Sequence, residues 1–156
     1  MIGNVSETDA RAESDLATDD HSCSITVSTL IHVSGPGVAA APLCRKDTSA
    51  TKTFYFFQVL KNDSLTLGAH QLYKCVSGTF TQLGGNDTTV FIVGETVKVS
   101  ASGSTIQAYI SGTEASMSPQ TDTAITGNVR CGLYGSSNGA SDSVIVDDWS
   151  AADLAA

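Results

Sequence analysis

The side chains able to do acid–base work are few and poorly spaced for it. Glutamate occurs only at Glu7, Glu13, Glu95 and Glu114, and none has an acidic partner two to five residues away on a segment that reads as a central strand. Cleaving a glycosidic bond takes two carboxyls, about 5 Å apart for retaining chemistry, and a strand supplies them from alternate positions facing one cleft. Asp147 and Asp148 are adjacent, so a strand aims them at opposite sides. His21, His32 and His70 are scattered and no G-x-S-x-G elbow accompanies them, so surface or hydrogen-bonded imidazoles are expected. Asn86-Asp87, Asp122, and Asn138 with Asp142 are oxygen-rich loop candidates for calcium. No ligand series of the EF-hand kind is present, and turns want the same residues for backbone reasons. The expectation is a non-enzymatic protein with no catalytic residue, metal or cofactor.

Binding chemistry is better supplied. A sugar site needs an aromatic ring to stack on and a few polar groups. Gln107 and Tyr109 alternate with Ile106, Ala108 and Ile110, and Arg130 and Tyr134 alternate with Val129, Cys131 and Leu133. Adjacent strands would bring Tyr73, Gln107, Tyr109, Arg130 and Tyr134 to one concave sheet face. The competing reading is that these tyrosines are amphipathic packing on a half-buried face.

Strands are what must position them. Val97, Val99 and Ala101 alternate with polar residues, Ser102-Gly103-Ser104 turns the chain, and Ile106, Ala108 and Ile110 alternate again. Period two bounded by glycine and serine is a hairpin signal. Strands are likewise predicted from Ser22 to about Val33, over Val38–Arg45 with Pro42 marking an edge or bulge, and over Gln71–Val76 and Thr79–Leu83. Thr53–Lys61 is apolar on both faces and should be central. Further strands are predicted over Val90–Val93, Glu95–Ala101, Thr105–Ser111, Val129–Tyr134 and Ser143–Trp149. Gly84-Gly85-Asn86-Asp87 reads as a turn, and Ala151–Ala156 as a helical turn or frayed end. Ten to twelve short strands without an amphipathic helix argue for an all-β sandwich or barrel.

Charge divides the chain. In the first twenty residues six acids face one base, a net −5, while residues 21–146 are neutral and Asp147, Asp148 and Asp153 complete the total of −8. The absence of a basic patch argues against nucleic acid and against a membrane surface. No apolar run approaches the ~20 residues that span a bilayer. The first twenty residues have neither a basic n-region nor an apolar h-region, so no signal peptide is expected. Cys23, Cys44, Cys75 and Cys131 fit no zinc spacing and sit in apolar segments, as buried thiols do. Residues 1–21 therefore read as an acidic arm and 22–156 as the β domain. Glu7, Asp9, Arg11, Glu13 and Asp15 are expected to act in assembly, with the arm held by a neighbouring subunit.

The order of segments resembles the concanavalin A-like lectin/glucanase (laminin-G-like) jelly roll over roughly residues 22–154. The features are Leu72-Tyr73-Lys74, Gly94 to Val99, Gly103 to Gly112, Asp122 with Thr126-Gly127, Val129 to Tyr134, and the closing Val146 to Trp149. The resemblance implies an antiparallel two-sheet jelly-roll sandwich and a choice among lectins, glycan-binding modules, glycosidases and phage virion proteins. Two functions are expected, the first as the main reading and the second as the alternative. One is a virion structural protein, such as a capsid decoration or cement protein on the virion surface, made in the host cytoplasm. Its partners would be like subunits, in a homo-oligomer such as a trimer, and a major capsid protein. The other is a carbohydrate-binding, lectin-like module recognising glycans, including those of a host, on the concave face.

Overall fold

Alternating apolar and polar residues in glycine-bounded segments give this chain strands and nothing longer in range than a sheet. The computed structural model describes residues 13–48, 52–137 and 141–155, which contain no helix. The strands are β1 (Ser14–Asp15), β2 (His21–Ile31), β3 (Val38–Lys46), β4 (Phe54–Lys61), β5 (Ala69–Val76) and β6 (Thr79–Asp87). They continue with β7 (Glu95–Ser102), β8 (Thr105–Ile110), β9 (Thr113–Glu114), β10 (Gln120–Thr121), β11 (Arg130–Ser137) and β12 (Ser143–Asp153). All pairs are antiparallel. The first sheet runs β1-β11-β3-β4-β5-β6 and the second β10-β8-β7-β2-β12, with β9 beside β8.

The main core lies between the two sheets. In the β7–β8 hairpin Val97, Val99 and Ala101 stand opposite Ile110, Ala108 and Ile106, and all six are buried. Cys23, Ile25 and Val27 of β2 join them from the same sheet, and Tyr55, Phe57 and Val59 of β4 from the other. Each large aliphatic side chain removed from water contributes roughly 1.5–3 kcal/mol. Strand β4 is buried on its other face too, where Phe54 and Phe56 belong to a second apolar cluster. That is the expected central strand.

Several predicted features differ. Val90–Val93 is a loop, because other acceptors take its N–H groups: Phe91 N donates to Leu67 O and Ile92 N to Glu95 Oε2. Gly84–Asp87 is not a turn but the end of β6, where Asn86 stands opposite Gln71 and Asp87 opposite His70 beyond a register shift. The glycines permit that irregularity. Pro42 is on an inner strand rather than an edge, at a point where partners to β4 lapse between Ala40 and Leu43. Residues 151–153 are strand rather than a helical turn, since β12 continues to Asp153 opposite His21.

Of the segment expected as an acidic arm, Glu7, Asp9 and Arg11 lie outside the described residues, and residues 13–20 pack against the same chain. Ser14 and Asp15 pair with Cys131 and Arg130, and Leu16 N donates to Val129 O. The acids have dedicated partners in the same chain. Asp15 takes two bonds from Arg130, while Glu13 bonds Arg130 and Lys46.

Asp19 and Asp20 converge on Arg45, a side chain only 1% exposed. Its Nε donates to Asp19 O at 2.7 Å, one terminal nitrogen to Ile125 O at 3.1 Å, and the other to Asp20 Oδ1 at 3.1 Å. Its backbone N–H donates to His21 Nε2, and His21 Nδ1 faces Thr18 O. Asp20 also accepts from Gly103 N and Ser102 Oγ at the β7–β8 turn. One guanidinium thus ties the N-terminal segment to β3 and to the loop before β11. Removing it leaves the Asp19 and Ile125 carbonyls without their donor, at a cost of about 2–5 kcal/mol in all, while the Asp19 and Asp20 carboxylates are part-exposed. Arg45→Ala is expected to lower unfolding free energy in urea by that amount and to expose residues 13–20 to protease. Unchanged stability and protection would contradict this role.

Candidate functional site

Residues directly opposite one another in neighbouring strands put their side chains on the same face, so the register maps the outer face of the first sheet. One row is Leu43, Phe56, Tyr73 and Gln82. Beside it lies Gln58, Gln71 and Asn86, with Tyr134 opposite Ala41 farther along the sheet. On the other side is Phe54, Cys75 and Phe80. None of these side chains is charged.

The rings form one cluster. Phe56 stacks on Tyr73 with centroids 5.3 Å apart, and meets Phe80 edge-on at 5.8 Å and Tyr134 at 5.5 Å. Phe54 packs against Phe56 and Phe80. Phe54 and Phe56 are buried beneath, while Phe80 is 45% exposed and Tyr73 and Tyr134 are half-buried. Next to the rings runs a chain of amides. Gln58 Nε2 donates to Gln71 Oε1 at 2.8 Å, and Gln71 Nε2 to Asn86 Oδ1 at 2.9 Å. Gln82 Nε2 also donates to Asn86 Oδ1, at 2.8 Å, and Tyr73 OH donates to Gln82 Oε1 at 3.3 Å. A primary amide has two N–H donors and two acceptor lone pairs. The chain fixes each amide's orientation and uses only part of that capacity, so a preorganised strip of neutral donors and acceptors flanks an aromatic surface.

The residues expected at one site divide between two sheets. Tyr73 and Tyr134 are brought together through Phe56. Arg130 is on β11 of the same sheet, beside the edge strand β1, but its guanidinium is held by Asp15 at 2.6 and 3.2 Å and by Glu13 at 3.1 Å. Gln107 and Tyr109 are on β8 of the second sheet, so the single concave face expected for all five does not form. Lys98 Nζ lies 5.3 Å from the Tyr109 ring centroid, and Gln107 bonds Glu114. Gln58, Gln71, Gln82 and Asn86 were not anticipated. Gln58 carried a usable signal, as the one polar residue inside the apolar run Phe54–Leu60.

The remaining candidates have structural partners. Asp122 accepts from Tyr55 OH at 2.7 Å and from Ala124 N, and pairs with Lys74. Asp142 Oδ1 accepts from Val33 N, and Asn138 lies outside the described residues. Among the described residues no group of three His, Cys, Asp or Glu side chains is placed to hold a metal ion. A cavity of about 410 Å³ opens between the Thr89–Glu95 loop and the end of β8, lined by Asp87, Val90, Ile92, Val93, Ile110 and Glu95, among others. Its buried carboxylates brace that loop. Glu95 holds buried His70 through Oε1 and Ile92 N through Oε2, and Asp87 accepts from Thr89 N and Ser116 N.

The sequence matches no family model and no curated protein. Solved structures share the fold at low identity. A carbohydrate-binding module, CBM66 of Bacillus subtilis, superposes with a TM-score of 0.63 at 16% identity, over 91% of this chain and 78% of that one. A tetrameric galectin from the ball sponge Cinachyrella gives 0.61 at 12%, over 90% and 98%. Sheep galectin-11 in complex with glycerol gives 0.58 at 11%, over 97% and 99%. The fold is therefore the two-sheet sandwich of carbohydrate-binding jelly rolls. These neighbours lend nothing to the expected capsid role, and the intramolecular anchoring of residues 13–20 removes one of its grounds.

Asp87 provides a pH test of the loop brace. Burial opposes its ionisation, but the N–H groups of Ser116 and Thr89 outweigh burial and hold it at about 2, against an ordinary 3.8. A depressed folded value means the contribution is intact above pH ~4 and disappears as pH falls toward 2. Between pH 5 and 2.5 the wild type is expected to lose on the order of 1–2 kcal/mol more unfolding free energy than Asp87→Asn does. Equal losses would contradict the brace.

Proposed function

We propose that this protein is a non-catalytic carbohydrate-binding module that holds a neutral glycan on the outer face of its first sheet. The observation that carries the proposal is the uncharged strip of Gln58, Gln71, Asn86 and Gln82 beside the rings of Tyr73, Phe80 and Tyr134. A pyranose offers an apolar C–H face and a rim of hydroxyls that both donate and accept. Rings take the first and fixed amides the second. An acidic glycan is disfavoured, because the net charge is −8 and Arg130 is already paired with Asp15. The solved structures of similar fold support the same class, as they include a carbohydrate-binding module and galectins.

The test is a panel of neutral and acidic oligosaccharides, screened on immobilised glycans and followed by calorimetry. A neutral glycan is expected to bind, and Tyr73→Ala and Gln82→Ala are each expected to weaken it about tenfold, or ~1.4 kcal/mol. Tyr109→Ala, on the other sheet, should leave affinity unchanged, with the thermal midpoints of all variants confirming folding. Absence of neutral-glycan binding at millimolar concentration, or loss of binding in Tyr109→Ala alone, would overturn the assignment.

A further inference from the structure

Three of the four cysteines, Cys23, Cys44 and Cys131, point into the main core, while Cys75 belongs to the cluster on the outer face. Cys23 is on β2 of the second sheet and Cys131 on β11 of the first. Cys23 Sγ donates to Gly132 O at 3.5 Å, and Cys131 Sγ donates to Ser22 O at 3.7 Å. Each thiol therefore reaches a carbonyl next to the other cysteine, so the two side chains cross in the gap between the sheets. That crossed arrangement brings the pair toward disulfide geometry, in which the Cβ atoms lie within about 3.5–4.5 Å. Cys44 also neighbours Cys23, but neither Cys23 nor Cys131 donates to a carbonyl beside it. It shares a sheet with Cys131, and the β3–β11 register shifts between the pairs that flank them, Lys46 with Arg130 and Leu43 with Gly132.

We propose that Cys23 and Cys131 are an intramolecular disulfide site, a covalent staple between the two sheets that closes when the chain folds in the presence of a disulfide oxidant. The inference is independent of the glycan reading. With glutathione disulfide as oxidant, one cysteine thiolate attacks a glutathione sulfur and releases one glutathione. The second cysteine then attacks the mixed disulfide and releases the other. The two thiol protons end on two glutathione thiols, and one S–S bond has been exchanged for another. The neighbouring Cys23 thiol and burial hold the Cys131 thiol far above the ordinary cysteine range. The reactive thiolate is therefore scarce in the closed fold. Closure belongs to folding, when the thiols are still exposed, and the finished bond is shielded from solvent.

The full chain is unfolded under reducing conditions and refolded either in glutathione redox buffer or in dithiothreitol, then denatured, alkylated and mapped. After the oxidising refold, two of the four thiols are expected to resist alkylation. Chymotryptic cleavage between Cys23 and Cys44 followed by fragmentation should show Cys23 joined to Cys131. The oxidised form should melt roughly 5–10 °C above the reduced form. Cys44→Ser should keep the bond. Four alkylated thiols in the correctly refolded wild type, or a bond from either Cys23 or Cys131 to Cys44, would overturn the proposal. Because mapping the wild type decides between these outcomes, the result stands even where a variant fails to fold.

Discussion

The buried guanidinium of Arg45 is the constraint on which the rest of this sandwich depends. A cation taken out of water is costly unless each of its donors finds an acceptor. Here the acceptors come from two places distant in sequence: the Asp19–Asp20–His21 segment, where His21 takes the Arg45 backbone N–H, and Ile125. Arg45 adopts a φ of 48° to make these contacts, a conformation tolerated only where the surroundings fix it. The same Asp20 carboxylate reaches the β7–β8 turn at Gly103. The acids of residues 13–20 are thus explained by their partners. Their charges answer Arg45, Arg130 and Lys46 of the same chain.

With that end of the sandwich fixed, β11 and β3 are held in register, and β4 to β6 continue the sheet. The outer face then follows from pleating. Alternate residues of five strands form rows in which rings and amides stand side by side. Phe54 and Phe56 fill the layer beneath, and Tyr73, Phe80 and Tyr134 present the surface. Rigidity matters for a weak, hydroxyl-rich ligand, because ordering loose side chains on binding would consume much of the gain. The hydrogen-bonded chain from Gln58 to Tyr73 removes that cost in advance.

Much of the fold was legible because its information is local. Val97 to Ile110 declares a hairpin by period and turn, and Phe54 to Lys61 declares a central strand by being apolar on both faces. Other features are set by distant partners and leave little local trace. Val90–Val93 has a strand's composition, yet Glu95 and Leu67 take its N–H groups. The candidate site was half legible for the same reason. Alternation showed that Tyr73, Tyr109 and Tyr134 turn away from the core, but it does not reveal that β8 joins β7 and β2 while β5 joins β4. Asn86 was read as a turn residue because two glycines precede it, and only the pairing with Gln71 places it on the face.

The central claim is that ligand binds the outer face of the first sheet, and side-chain amide resonances report on that face directly. In ¹⁵N-labelled protein titrated with a neutral oligosaccharide, the NH₂ signals of Gln58, Gln71, Gln82 and Asn86 are predicted to shift together with one saturation curve. The Gln107 amide and the Trp149 indole, both in the second sheet, are predicted to stay in place. Shifts confined to Gln107 and its neighbours, or none in the four amides at saturation, would contradict the account.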